Sequence, residues 1–415
     1  KNEKNRIQKI IQNAEASTKT EFETELIKAT DQFVVYRPAF ELHTLIAGYP
    51  WFLDWGRDSL LSLEGLLLKT KRYDIAKEVL LTMAKNIKCG LVPNGYSEKD
   101  NKPLYNSVDA SLLLFEQIQK YLNYTGDYEF VKEHIYDKLK EIIENYKNGI
   151  DLDDNNIKLD KDFLISSGTA NTQNTWMDAK TYGIAATPRN GKVVEINSLW
   201  YNGLMIMADL AEKFEEQPNT KKYKELARKC KKSFNAKFYN SKRKCLYDVI
   251  TDEKNKDGKI RPNQLFALSL THPIVEPNSI EANNIINVVE KKLLNNYGLK
   301  TLAKGEPNYV DIYEGDAFKR DMSYHQGITW TWLLELYYEA LKNMVKFEKR
   351  KTYKTKLETK LKDFVEKEKQ VFEKEINQRG CVGSIAEIYD STKPYEPKGA
   401  IAQAWSVGAI CTMIL

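Results

Sequence analysis

The chain has 415 residues, with 63 Lys plus Arg against 58 Asp plus Glu and a formal charge of +5. So small a basic excess argues against a dedicated nucleic-acid binder, and 42% hydrophobic content excludes a disordered chain. No apolar run approaches the roughly 20 residues that span a bilayer, and no signal peptide opens the chain, so neither a membrane nor nucleic acid is expected as a partner. Cys89, Cys230, Cys245, Cys381 and Cys411 form no CxxC pair. His43, His134, His272 and His325 show no ligand spacing. A disulfide framework and a structural metal are therefore not expected, no cofactor is called for, and a cytoplasmic location fits best. The chain begins at Lys1 without a methionine, inside a charged helical segment, which reads as a domain excised from a longer protein.

In chain order, helical spacing predominates and little reads as strand. A charged amphipathic segment precedes residue 34. Apolar-rich segments follow at 58–70, 107–123, 195–214, 261–270, 324–342 and 398–415. The first five are each succeeded by a charged helix, at 73–87, 127–148, 220–238, 279–296 and 353–377. The first member of each pair is apolar around most of its circumference, as a helix buried on several sides requires, and the second has one apolar stripe. Pairing the C-terminal apolar helix with the N-terminal charged one completes six hairpins. The predicted fold is all-α, an (α/α)6 barrel or toroid of six inner and six outer helices, occupying 1–415 as a single domain. An open helical solenoid is the alternative.

Links within a pair are short, whereas links between pairs are long: 35–57, 88–106, 149–194, 239–260, 297–323 and 378–397. Up-and-down topology places the long links on one end of the ring, where binding and catalysis are expected. All seven tryptophans, Trp51, Trp55, Trp176, Trp200, Trp330, Trp332 and Trp405, fall in these links or in the first turns after them. They are interleaved with carboxylates, amides, Arg and His. Aromatic planes beside such groups suit a sugar, which offers apolar C–H faces and a rim of hydroxyls.

Neither a GxSxG nucleophile elbow nor a Gly-rich phosphate loop occurs. Carboxylates without metal ligands leave glycoside hydrolysis, which needs one protonated acid and one ionised base. The candidates are Asp54, Asp58, Asp109, Asp178, Glu195, Asp316, Asp321, Glu387 and Asp390. Asp58 and Asp109 each open an inner helix and are equally readable as caps. Composition does not choose the pair.

The motifs TWMDAK (175–180), TPRNGKVVEINSLWYN (187–202), RPNQLFALSL (261–270), YHQGITW (324–330) and GSIAEIYD (383–390) closely resemble the glucosidase domain of glycogen debranching enzymes, amylo-α-1,6-glucosidase. PWFLDWGRDSL (50–60) and AQAWSV (402–407) look like the same family, so the resemblance runs from about residue 40 to the end. It implies an (α/α)6 barrel that removes, with inversion, the α-1,6-linked glucose stub of a branched α-glucan such as glycogen or limit dextrin. Asp178 then matches the general acid and Glu387 the general base. Trp55, Arg57 and Asp58 are similar to a glucoamylase segment whose Arg-Asp pair holds hydroxyls of the terminal glucose. The resemblance also places Trp176, Glu195, Trp200, His325, Gln326, Trp330, Gln403 and Trp405 at the substrate pocket, with His325 and Trp330 alternatively structural residues opening a core helix. The larger members carry a β-rich domain before the barrel, expected to pack on it. Inversion predicts carboxyl groups roughly 6.5–9.5 Å apart. The rival readings are a glucoamylase-type exo-glucosidase acting on α-1,4 ends and a non-catalytic polysaccharide-binding toroid.

Overall fold

A computed structural model describes residues 2–14, 20–97 and 102–415. Lys1 and residues 98–101 of the second long link lie outside the described residues. The fold is mostly helical. Its helices are α1 (Asn2–Asn13), α2 (Glu21–Asp31), α3 (Gly56–Leu63), α4 (Tyr73–Lys85), α5 (Ala110–Thr125), α6 (Tyr128–Phe130), α7 (Tyr136–Asn148), α8 (Val194–Lys213), α9 (Gln217–Phe238), α10 (Phe266–Ser269), α11 (Ile280–Lys292), α12 (Ala317–Ser323), α13 (Leu333–Phe347), α14 (Lys351–Gln378) and α15 (Ala404–Ile414). A π turn at Glu64–Leu68 extends α3, and another at Val131–Ile135 joins α6 to α7. Among the described residues no helix is long and apolar enough to cross a membrane.

The two kinds of helix differ as the patterning predicts. In α8 nearly every side chain from Val194 to Leu204 is buried. Its successor α9 buries only Thr220, Tyr223, Ala227, Cys230, Phe234 and Phe238, a stripe at intervals of three and four, and turns its lysines to water. Local chemistry sets the ends. Thr20 and Glu23 form a reciprocal capping box at α2, and Gly126 closes α5 in the left-handed conformation.

Each apolar helix packs on the next: α3 on α5, α5 on α8, α8 on α10, α10 on α13, α13 on α15, and α15 back on α3. At this last contact a Cβ on Gly65 would lie 1.8 Å from the Gly408 carbonyl oxygen, so the helices approach at a distance that only glycine permits. The charged helices pack outside, with α4 on α5, α9 on α8, and α14 on both α13 and α15.

Three expectations need correction. The segment 324–342 is not helical throughout: α13 starts at Leu333, and Thr329–Trp330 is a strand paired with Leu299–Lys300 on one side and Ile388–Tyr389 on the other. Its apolar residues satisfy two rows of sheet hydrogen bonds, and Gly327 at φ +132° breaks the helical path before them. Likewise α15 begins at Ala404, because Pro397–Lys398 and Ala402–Gln403 pair with Ile388–Tyr389 and Gly48–Tyr49. The long links are thus stitched together by short antiparallel pairings that local periodicity does not reveal. The N-terminal charged segment is two helices, α1 and α2; residues 15–19 between them lie outside the described residues.

Candidate active site

A cavity of about 90 Å³ is lined by Phe52, Trp55, Arg57, Asp58, Trp176, Asp178, Tyr324, Trp330, Glu387 and Trp405, contributed by five separate links or helix starts. Four of its ten lining residues are tryptophans, and three carry carboxyl groups.

Asp178 lies in the long link before α8, two residues after Trp176. Arg57, in the first turn of α3, donates from Nη1 to Asp178 Oδ2 at 2.8 Å, and from Nε to both carboxyl oxygens of Asp109 at 3.0 and 2.9 Å. Asp109 also accepts from Ser107 Oγ at 2.7 Å. Neither Asp58 nor Asp109 caps its helix by a side-chain hydrogen bond. Asp109 instead anchors a buried guanidinium, which in turn holds Asp178. Arg57 Nη2 is buried without a protein partner, a donor available to a ligand hydroxyl.

Glu387 is 1% exposed. Its Oε1 accepts from the Tyr324 hydroxyl and its Oε2 from the Ala400 amide at 2.9 Å, while its own amide donates to the Ala400 carbonyl at 2.9 Å. Gly399 makes this clasp possible. Its φ is +69°, and a Cβ there would lie 2.2 Å from Glu387 Oε2. The adjoining strand Ile388–Tyr389 pairs with Thr329–Trp330, so Glu387 and Trp330 are set on neighbouring strands.

Burial perturbs all three cavity acids. It pushes Glu387 up to about 7 against the opposing hydrogen bonds from Tyr324 and Ala400, with the nearby Asp178 charge adding to the rise. It pushes Asp58 up to about 8, with Arg57 opposing and Asp178 and Glu387 reinforcing. Asp178 is also raised by burial, although Arg57 pulls it down. One guanidinium cannot compensate the buried Asp109, Asp58 and Glu387 and the half-buried Asp178 together, so the site retains a proton near neutrality. An acid and a base in one pocket are the elements of general acid–base chemistry.

Of the thirteen residues expected at the site, eight line this cavity: Trp55, Arg57, Asp58, Trp176, Asp178, Trp330, Glu387 and Trp405. The other five stand outside its lining. Glu195 is buried against Arg189, with Oε2 2.7 Å from Nη2, and Arg189 also binds Asp248 through Nε and Nη2, both at 2.8 Å. Asp248 accepts from Asn263 Nδ2 at 2.8 Å, and Asn263 accepts from Trp176 Nε1 at 2.8 Å. Glu195 therefore belongs to the network that holds the Trp176 wall. Gln326 accepts from Arg261 and donates to the Ala186 carbonyl at 3.0 Å. Gln403 donates to Asp58 Oδ1 at 3.4 Å from behind the wall. Trp200 stacks on Tyr146, and His325 stacks on Trp330 and meets Trp176 edge-on. Burial, followed by Arg261, Arg57 and Arg189, holds His325 well below its ordinary pKa, so it is neutral.

The tryptophans do not all wall the cavity. Trp51 is 58% exposed, and Trp332 lies behind the wall against Trp176 and Trp405. Sequence reasoning missed Phe52 and Tyr324. Both stood inside quoted motifs, but nothing in their spacing marked them. Among the described residues no group of His, Cys, Asp or Glu is placed to hold a metal ion.

Residues 28–412 match the protein family described as amylo-alpha-1,6-glucosidase. The glycogen debranching enzyme of Saccharomyces cerevisiae is 26% identical over an alignment covering 73% of this chain and 25% of that protein. The chain thus spans about a quarter of that relative's length. With 385 of its 415 residues inside the family match, the chain belongs to the amylo-α-1,6-glucosidase family.

Proposed function

We propose that this chain is an inverting glycoside hydrolase that releases glucose from α-1,6-linked stubs of a branched α-glucan. The carrying observation is the meeting of Asp178 and Glu387, from links more than 200 residues apart, in one tryptophan-walled cavity where burial raises both carboxyls. The closed succession of contacts from α3 round to α15 and back supports an (α/α)6 barrel forming one domain, with the cavity at its loop-bearing end.

In the proposed reaction a terminal glucose stacks on the tryptophans, and its hydroxyls are received by Arg57 Nη2 and Asp58. Asp58 is protonated below about pH 8 and can donate as well as accept. Hydroxyls that take hydrogen bonds from Arg57 weaken its hold on Asp178, which favours the protonated acid. Asp178 gives its proton to the glycosidic oxygen as the C1–O bond breaks. Glu387 takes a proton from the water whose oxygen bonds to C1 from the opposite face. The products are β-glucose and the shortened glucan. Proton exchange with solvent resets both carboxyls. Tyr324 and Ala400 fix the orientation of Glu387 and favour its ionised form, as a base requires.

Asp58 is the alternative proton donor, because its pKa is pushed to about 8 beside the same arginine. Glucose release from a branched limit dextrin and from a linear maltooligosaccharide tests the assignment. The proposal predicts preference for the branched substrate and severe loss in Asp178→Asn. Preference for the linear chain would assign an α-1,4 exo-glucosidase, and near-normal turnover in Asp178→Asn would transfer the acid role to Asp58.

A further inference from the structure

Immediately beyond Asp178 the chain forms a short hairpin in which Lys180–Thr181 pairs with Ile184–Ala185. Its turn residues Tyr182 and Gly183 both have positive φ, +47° and +79°. Such turns favour Asn, Asp or Gly at the first position, and a bulky aromatic there is held against its backbone preference. Tyr182 gains little burial in return. It is 87% exposed, and its ring meets Phe318, itself 40% exposed, at 6.0 Å between centroids and 31° between planes. Phe318 stands in the first turn of α12, whose last residue, Ser323, precedes Tyr324, the hydroxyl donor to Glu387. Two exposed rings are thus carried on the segments that bear the candidate acid and the support of the candidate base.

The hairpin is held at its base. Ala186 N donates to the Ala179 carbonyl at 2.9 Å, and Gln326 Nε2 donates to the Ala186 carbonyl at 3.0 Å. At about 3.3 Å per extended residue, the Tyr182 backbone lies within about 13 Å of Asp178, a span that a few sugar residues cover. The proposed chemistry supplies the direction. The acid protonates the leaving oxygen, so the main chain from which the stub departs must pass on the Asp178 side, where this hairpin stands.

We infer that Tyr182 and Phe318 form an aromatic platform for the leaving side of the substrate, the α-1,4-linked main chain of the glucan. Aromatic faces stack on the C–H faces of such sugars. This rests on the activity proposed above, and the test separates the two. Maltoheptaose binding is measured by calorimetry for the parent chain, Tyr182→Ala, Phe318→Ala, the double variant and Tyr182→Phe. Turnover of α-glucosyl fluoride, which has no main chain, is measured for the same set. Each alanine is expected to weaken maltoheptaose binding about three- to tenfold, the worth of one aromatic stack. Tyr182→Phe should bind as the parent does, and fluoride turnover should be unchanged throughout. Parent-like binding in the double variant, absence of binding by the parent, or an equal loss on the fluoride would each overturn the platform. A parent that turns over no glucoside would defeat the activity proposal, while the binding series would still judge the platform.

Discussion

Replacing Tyr324 by Phe removes one hydrogen-bond donor from Glu387 and leaves the ring in place. Glu387 is 1% exposed, and its carboxylate is opposed to burial by the Tyr324 hydroxyl and the Ala400 amide. A hydrogen bond to a charged group is worth about 1.5–3 kcal/mol, or about one to two pH units at ~1.4 kcal/mol per unit. The hydroxyl donates to the ionised carboxylate, so its loss raises the Glu387 pKa further above about 7. A base acts only when ionised, so the acid limb of kcat/KM moves upward by about one to two pH units, and the rate at about pH 6 falls about 10- to 100-fold. The rate should partly recover as pH rises. The assay is the pH profile of kcat/KM on a small α-1,6-glucoside, with thermal melting to show that the fold persists. An acid limb that stays in place or moves down would refute the hydrogen-bonding role of Tyr324 and the assignment of Glu387 as base.

Asp178→Asn and Glu387→Gln should each lower kcat by about 10²–10⁴-fold, the usual worth of a general acid or base, with unchanged far-ultraviolet circular dichroism; near-normal turnover would exclude the residue from its role. Gly399→Ala places a methyl group 2.2 Å from Glu387 Oε2 at a left-handed backbone position. It should therefore depress kcat far more than it depresses the melting temperature, and a variant with parent kinetics would show that the clasp on Glu387 is dispensable. Asp109→Ala leaves the buried Arg57 Nε without its acceptor while Nη1 keeps Asp178, so denaturant titration should show a loss of about 1–3 kcal/mol, the cost of a buried donor left unsatisfied. An unmoved midpoint would contradict the anchoring role of Asp109.

What could be read from the residues depended on whether the cause was local. The burial of α8 and the stripe of α9 are written in three- and four-residue spacings, and both helices fall within a few residues of their expected bounds. The segment before α13 misled for the same reason. Tyr324–Trp332 is apolar enough to extend a helix, but its conformation is decided by partners at Leu299 and Ile388 that no local window contains. At the site, Asp178, Glu387, Arg57 and Asp58 were named from motifs and do meet in one cavity. Glu195 is placed at the pocket only by the family resemblance, and its own spacing does not reveal its partners. Its neutralising partner Arg189 stood six residues earlier, and its other neighbours arrive through Asp248, 53 residues later. The capping reading of Asp109 failed in a similar way, since Arg57 is its neighbour only in space. Tyr324 went unnoticed because its function lies wholly in a hydrogen bond across 63 residues.

The central claim is that Asp178 and Glu387 act on opposite faces of the sugar, one on the leaving oxygen and one through water. Proton NMR of glucose at the first moments of release from an α-1,6 branch stub tests it most directly, before mutarotation mixes the anomers. The account predicts that β-glucose appears first; α-glucose appearing first would contradict it.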